Sequence, residues 1–286
     1  MSGSQVVLAS ALASAVTVLV GRNATRLAST VAATRAAVPG AQLDTIVFDL
    51  SSLASVRAGA ASLVAKHPAI DVLVNNAGGL IEGPVTADGF NPMFEVMNIG
   101  PALLTKLCLQ ALERANGRVV NVASASSFEP LWLVPGHTAQ DMMGYARGKP
   151  ALSGGIGYGV SKLLVVHYTA QLNVRLNSTV KALSVNPGLF RTEPYSLQDH
   201  LICDTVMRFR PCPQTPAQGA AGIAFAALVP GAAQTGGAMI DFETKVDALG
   251  AFTQSGDSCV PRPMPKWDAA EAAKFYDLVQ AAIGAA

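Results

Sequence analysis

The chain has 286 residues, half of them hydrophobic and only 14% charged, with a formal net charge of +1. That length suits one α/β domain with a sizeable core, and the absence of basic or acidic blocks excludes a nucleic-acid surface or a polybasic membrane binder. Cys108, Cys203, Cys212 and Cys259 are scattered with no C-x-x-C pair, which reads as free thiols in a reducing compartment and not as a zinc site.

The run Val6–Val20 is the one candidate targeting segment. It is too short to span a bilayer and no Lys or Arg precedes it, so it reads as the end of a helix over 6–14 and a strand over 15–21. A soluble cytoplasmic protein without an integral membrane segment is expected. Further strands are expected over 44–50, 71–77, 117–124, 179–186 and 237–242, with helices over 24–37, 53–66, 92–115, 158–177, 215–228 and 268–283. Short apolar runs alternating with helices predict α/β architecture, a doubly wound, Rossmann-like parallel sheet in a single domain spanning residues 1–286. Residues 125–157 and 189–214 break the alternation after strand carboxyl ends, where open α/β sheets bind ligands, and are assigned to the substrate side. A third irregular stretch, 250–267, carries Pro261, Pro263 and Pro265 and reads as surface wrapping.

Tyr158-Gly-Val-Ser-Lys162 opens a long apolar stretch, and Ser124 closes the strand upstream. On a helix, positions i and i+4 share a face, so phenol and ammonium lie side by side. A free tyrosine ionises near about pH 10, too high for easy proton transfer at neutrality. A fixed lysine cation favours the phenolate and lowers that value. A serine hydroxyl can then hold a substrate carbonyl or alcohol against the tyrosine.

Asn75-Asn76-Ala77-Gly78, Asn98 within Val96-Met-Asn98-Ile-Gly100, Asn121-Val-Ala-Ser124, Tyr158-x-x-x-Lys162 and Asn186-Pro187-Gly188 with Arg191-Thr192 succeed one another over about residues 15–245. In order and spacing they resemble the motifs of the short-chain dehydrogenase/reductase family. The resemblance implies an oxidoreductase that interconverts a ketone or aldehyde with an alcohol. It assigns Tyr158 as general acid or base, Lys162 as the group that lowers its pKa and hydrogen-bonds the nicotinamide ribose, Ser124 as the group polarising the carbonyl, and Asn98 as holder of a water that relays protons from Lys162. It also implies cofactor contacts from Asp49, Leu50, Asn76, Ala77, Gly78, Pro187, Gly188 and Thr192, and a homo-oligomer. The 34-residue interval from Ser124 to Tyr158 and the C-terminal Trp267-Asp-Ala-Ala-Glu-Ala-Ala-Lys-Phe-Tyr276 helix are similar to the retinol-dehydrogenase-like branch.

Arg22 comes after the strand over 15–21, where an acidic residue would accept the ribose hydroxyl of NAD. A guanidinium suits a 2′-phosphate, so NADP is expected over NAD. Against the family pattern, the glycine-rich turn and first strand are missing at the amino end, with Gly3 the one remnant. A start upstream, a degenerate relative, or another segment filling the gap would each account for this. Gly155-Ile-Gly157-Tyr-Gly159 is preceded by no clear strand and is not taken as a dinucleotide loop.

His67, His137, His167 and His200 show no metal spacing and read as packed or solvated. A serine hydrolase built on Ser124 and His137 fails for want of a G-x-S-x-G elbow. Phe128, Trp132, Leu133, Phe190 and Tyr195 would give an apolar pocket for a lipophilic carbonyl compound such as a polyketide, steroid or retinoid, in secondary metabolism. The alternative is a non-catalytic binding or scaffold protein that has lost dinucleotide affinity.

Overall fold

Three runs with little polar alternation set the architecture. Val72–Asn75, Arg118–Val122 and Lys181–Asn186 are buried along nearly their whole length, as strands are when helices cover both faces of a sheet. The computed structural model describes residues 5–8, 16–128, 133–152, 154–176, 179–188, 216–229, 239–246, 252–262 and 267–285. In chain order the strands are β1 (Gln5–Leu8), β2 (Val16–Gly21), β3 (Gln42–Val47), β4 (Val72–Asn75), β5 (Arg118–Val122), β6 (Lys181–Asn186), β7 (Met239–Val246) and β8 (Phe252–Arg262). Across the sheet they lie in the order β3-β2-β1-β4-β5-β6-β7-β8. The pairs β2–β3, β4–β5, β5–β6 and β6–β7 are parallel. The α/β, Rossmann-like class is as expected.

The helices are α1 (Ala24–Ala37), α2 (Leu53–Lys66), α3 (Pro92–Phe94), α4 (Gly100–Arg114), α5 (Ala139–Ala146), α6 (Gly154–Arg175), α7 (Pro216–Leu228) and α8 (Ala269–Ala285). Their starts have local causes. Asn23 and Ser52 accept from the backbone amides of Arg26 and Ser55, and Thr138 with Asp141 forms a capping box on α5, each satisfying amide groups that a first turn leaves unpaired. Asp88 reaches across the chain to accept from the amide of Leu53 at 2.8 Å.

Four expectations need correction. The slot of the first strand is filled: β1 lies between β2 and β4, antiparallel to both. Residues 6–8 are therefore strand and not helix, while 9–15 lie outside the described residues. Val6, Val7 and Leu8 supply the partner that β2 and β4 would otherwise lack at the middle of the sheet, where open edges are costly. Gln5 pairs with Val20 and Leu8 with Thr17, so β1 begins at the carboxyl end of β2. The wrapping segment 250–267 contains β8, an antiparallel edge strand against β7, and residues 125–157 contain α5. The expected helix over 92–115 is interrupted by a π-helical turn, Glu95–Ile99, between α3 and α4.

Gly100 closes that turn, and a β-carbon there would come within 2.5 Å of the carbonyl oxygen of Leu50. Backbone cannot yield as a side chain can. Gly100→Ala is expected to cost about 1–3 kcal/mol, measurable as a lower urea midpoint with an unchanged slope.

Candidate active site

Helix α6 carries Tyr158 and Lys162 on one face, as the i, i+4 spacing requires. Lys162 is 4% exposed, and its Nζ donates to the carbonyl oxygen of Val122 at 2.6 Å. Burial pulls the Lys162 ammonium down to about 8, because a low-dielectric surrounding disfavours its charge. Nζ also lies 5.7 Å from the centroid of the half-buried Tyr158 ring. Val122 ends β5, and two residues on the chain reaches Ser124. Ser124 is half-buried at the head of a short 3₁₀ turn, Ala125–Phe128, which packs on α6. Its carbonyl accepts from the amide and hydroxyl of Ser127, and its Oγ accepts from the amide of Ser126 at 3.3 Å. A hydroxyl that accepts in this way keeps its hydrogen to donate.

The π turn brings Asn98 onto α6. An extra residue in a helical turn rotates every side chain beyond it about the axis, and such turns recur at functional sites. Asn98 is buried and its Nδ2 donates to Oγ of Ser161 at 2.6 Å, next to Lys162 in the chain. Beneath this contact runs a buried polar ladder. Asn75 Nδ2 donates to Thr105 Oγ1 at 3.2 Å and to Asn121 Oδ1 at 2.8 Å, and Asn121 Nδ2 donates to Thr169 Oγ1 at 2.8 Å. It fastens α4 and α6 to β4 and β5. Thr105, Ser161, Thr169 and Glu95 were not singled out from the sequence. Ser161 stood inside the Tyr158–Lys162 motif, but its partner became visible only in three dimensions.

Two further strand ends converge on the same edge of the sheet. After β4, a β-carbon on Gly78 would meet Met97 Sδ at 2.8 Å and Lys162 Nζ at 3.4 Å, so a side chain there would have to displace Met97. Asn76 has partners and Ala77 is buried. After β6, Pro187 is buried and Gly188 turns at φ +83°, its amide donating to Asn186 Oδ1 at 3.3 Å. On the other side of β1, Arg22 comes after β2 and lies 3.9 Å from the Asp49 carboxylate, with Arg22 exposed and Asp49 half-buried. Leu50 is buried. Thr192, Trp132, Phe190 and Tyr195 lie outside the described residues, as does the side chain of Phe128; Leu133 is exposed. Of the histidines, His167 is buried edge-on against Trp267 at 5.2 Å and His67 lies 3.0 Å from Asp44; His137 faces the carbonyl of Val134 and His200 is outside the described residues. Among the described residues no group of acidic, histidine or cysteine side chains could hold a metal ion, and no helix is long and apolar enough to cross a membrane.

The sequence pattern of the short chain dehydrogenases matches residues 3–139. Human retinol dehydrogenase 12 is 35% identical over 187 residues, 64% of this chain and 56% of that protein. The chain belongs to the short-chain dehydrogenase/reductase family. Its likeness to retinol dehydrogenases places it in their branch, although it spans only about half the length of those it matches. A candidate daunorubicin C-13 ketoreductase of Streptomyces sp. (strain C5) is 29% identical over 283 residues, 99% of this chain and 88% of that one. Among solved structures, gluconate 5-dehydrogenase from Burkholderia cenocepacia J2315, in complex with NADP and tartrate, shares the fold with a TM-score of 0.58 at 22% identity, covering 78% of this chain and 82% of that one.

Glu95 is the one group of the π turn that carries a titratable acid, and it is fully buried. Burial, with the carboxylates of Asp88 and Asp49 nearby, pushes its carboxyl up to about 7. The folded chain therefore holds this proton where the unfolded chain releases it, and stability from this group falls as pH rises from about 4.5 to 7. Glu95→Gln removes that loss. The variant is expected to gain on the parent protein between pH 4 and pH 8 in paired urea titrations, most of the gain developing below pH 7.

Proposed function

We propose that the chain is an NADP(H)-dependent reductase or dehydrogenase that interconverts a ketone or aldehyde with an alcohol on a lipophilic small molecule. The observation that carries the reading is the buried Lys162 ammonium held against β5 by Val122 and beside the Tyr158 ring. In reduction Tyr158 gives its hydroxyl proton to the carbonyl oxygen as a hydride reaches the carbonyl carbon, forming one C–H and one O–H bond. The neighbouring cation stabilises the phenolate left behind. Ser124, its Oγ already accepting from the Ser126 amide, donates to the same carbonyl oxygen. Asn98 holds the path by which the proton is replaced from solvent. In oxidation the same groups act in reverse.

The nicotinamide cofactor supplies or takes up the hydride when bound. The residues present fit its two ends. Gly78, Lys162, Pro187 and Gly188 are assigned to the ribose and nicotinamide end, where Gly78 keeps the chain close against Met97 and Lys162. Asn76, Ala77, Asp49 and Leu50 line the way to the adenosine, and Arg22 marks its 2′ position. Asp49 uses Oδ1 on the amide and hydroxyl of Ser51 and only Oδ2 on Arg22. A partly exposed pair of that kind contributes about 0–1 kcal/mol, so a phosphate can recruit the guanidinium at small cost. Thr192 belongs to the same assignment by its place in the sequence.

Exposed Leu80, Val85, Leu133 and Ile156 lie on segments that come after β4 and β5 or open α6, which supports a lipophilic substrate. The named activities of the retinol dehydrogenases and the ketoreductase agree in kind. A second reading, a non-catalytic member of the family, draws on β1: it runs antiparallel where a parallel strand would lead into a phosphate-binding helix.

Tyr158→Phe separates the two. With NADPH and either retinal or a daunorubicin-type C-13 ketone, the variant is expected to lose turnover by about 10²-fold or more while binding NADPH as the parent does. Full turnover in the variant would overturn the mechanism, and a parent chain that folds but reduces no carbonyl in a broad panel would favour the second reading.

A further inference from the structure

Asp268 sets where α8 begins, because its Oδ1 accepts from the amides of Ala270 and Glu271, both at 2.9 Å. That start leaves Trp267 just before the helix and Glu271 in its first turn, and both reach across to α5. Trp267 Nε1 donates to the carbonyl oxygen of His137 at 2.7 Å, and one carboxylate oxygen of Glu271 accepts from the amide of Ala139 at 2.7 Å. His137 and Ala139 flank Thr138, the cap of α5. Both contacts are therefore made to the backbone at the point where α5 starts. Neither side chain is loose. The Trp267 ring meets the buried His167 and Phe275 edge to face, and Lys274 Nζ holds the other oxygen of Glu271 at 2.6 Å.

The chain leaves the turn that carries Ser124 and comes back to α6 just before Tyr158, and α5 lies on the stretch 133–152 between them. That stretch is fastened at its far end as well. The carbonyl of Ala146 accepts from the amide of Asn91 at 2.8 Å, and the Arg147 guanidinium lies 4.5 Å over the Phe90 ring. The carbonyl oxygen of Leu152 lies 2.9 Å from where a β-carbon on Gly157 would sit, one residue before Tyr158. Met142, Met143 and Tyr145 enter the core against which Tyr158 packs. A shift of α5 would thus move this stretch against Tyr158 and leave the bond between Lys162 and Val122, which joins α6 to β5, in place.

We infer that Trp267 and Glu271 are positioning residues for substrate: from α8 they hold the start of α5, and with it the 133–152 wall between Ser124 and Tyr158, where a carbonyl compound packs. The inference rests on the reductase reading above and deepens it. It assigns substrate affinity, as distinct from proton transfer, to two residues that act through α5 and not on the substrate itself. A wall already in place costs a ligand less to use than one that must be ordered on binding. Loss of either contact therefore falls on KM for the carbonyl compound, with kcat unchanged.

The test is steady-state reduction, with NADPH, of retinal or a daunorubicin-type C-13 ketone, whichever the parent chain turns over. Trp267→Phe keeps a ring against His167 and removes the N–H, while Glu271→Ala removes the carboxylate. Each is expected to raise KM for the carbonyl compound about fivefold, the order of one hydrogen bond, with kcat and KM for NADPH changed less than about twofold. Glu271→Gln, whose amide oxygen can still accept from Ala139, is expected to restore most of the parental KM, which loss of the Lys274 ion pair alone would not allow. In amide hydrogen exchange of the cofactor-free chain, residues 142–146 are expected to exchange faster in Trp267→Phe and Glu271→Ala while α6 keeps its parental protection. Parental KM in either of these variants, a Glu271→Gln as impaired as Glu271→Ala, or kcat and NADPH affinity falling together with KM would overturn the inference. Should Glu271→Ala not fold, Trp267→Phe decides by the same KM. An inactive Tyr158→Phe beside parental KM in both variants would remove this inference alone, whereas a parent chain that reduces neither compound would remove the reductase reading with it.

Discussion

The ammonium of Lys162 donates to the carbonyl of Val122 across 2.6 Å inside the protein, and the arrangement around it results from keeping that charge there. Burying a lysine is unfavourable, and the environment responds by drawing its pKa down to about 8. The group nonetheless remains mostly protonated at neutrality, a cation fixed in place where a surface lysine would wander. Fixing it also fixes α6 against the end of β5, which sets Tyr158 opposite the segment that carries Ser124. A side chain at Gly78 would press on Met97 and come up against Lys162, so glycine there leaves both undisturbed.

A single helix could not hold such a site alone. The row Asn75, Asn121 and Ser184 lies in register across β4, β5 and β6, and the first two are spliced to α4 and α6 through Thr105 and Thr169. The amides of Asn75 and Asn121 and the hydroxyls of Thr105 and Thr169 are buried and bonded to one another, so displacing either helix would expose unpaired polar atoms in an apolar interior. The strand ends supply positions, and the ladder supplies rigidity. The π turn supplies the last adjustment, carrying Asn98 onto the flank of α6 while Gly100 lets the chain pass the backbone of Leu50.

Much of this was legible from residues alone. The helices over 24–37 and 53–66 match α1 and α2 end to end, because Asn23 and Ser52 are strong capping residues and the apolar runs on either side break cleanly. Tyr158 and Lys162 were legible because helical spacing dictates their shared face. Three features were hidden for physical reasons. Val6–Leu8 has no periodicity that separates a buried strand from a helix, and its antiparallel pairing depends on a gap that only the assembled sheet creates. The strand β8 was hidden by Pro261, which an edge strand tolerates and a central one does not. The contact between Asn98 and Ser161 joins residues 63 positions apart, and the π turn that permits it has the same apolar pattern as ordinary helix.

The central claim is that these strand ends form a dinucleotide site selective for the 2′-phosphate, even with β1 running antiparallel through the middle of the sheet. Calorimetric titration of the chain with NADPH and with NADH tests it most directly. The predicted result is saturable NADPH binding, tighter than NADH by about tenfold or more, which is about 1.4 kcal/mol, and reduced toward the NADH value in Arg22→Ala. A folded chain that binds neither nucleotide would contradict it.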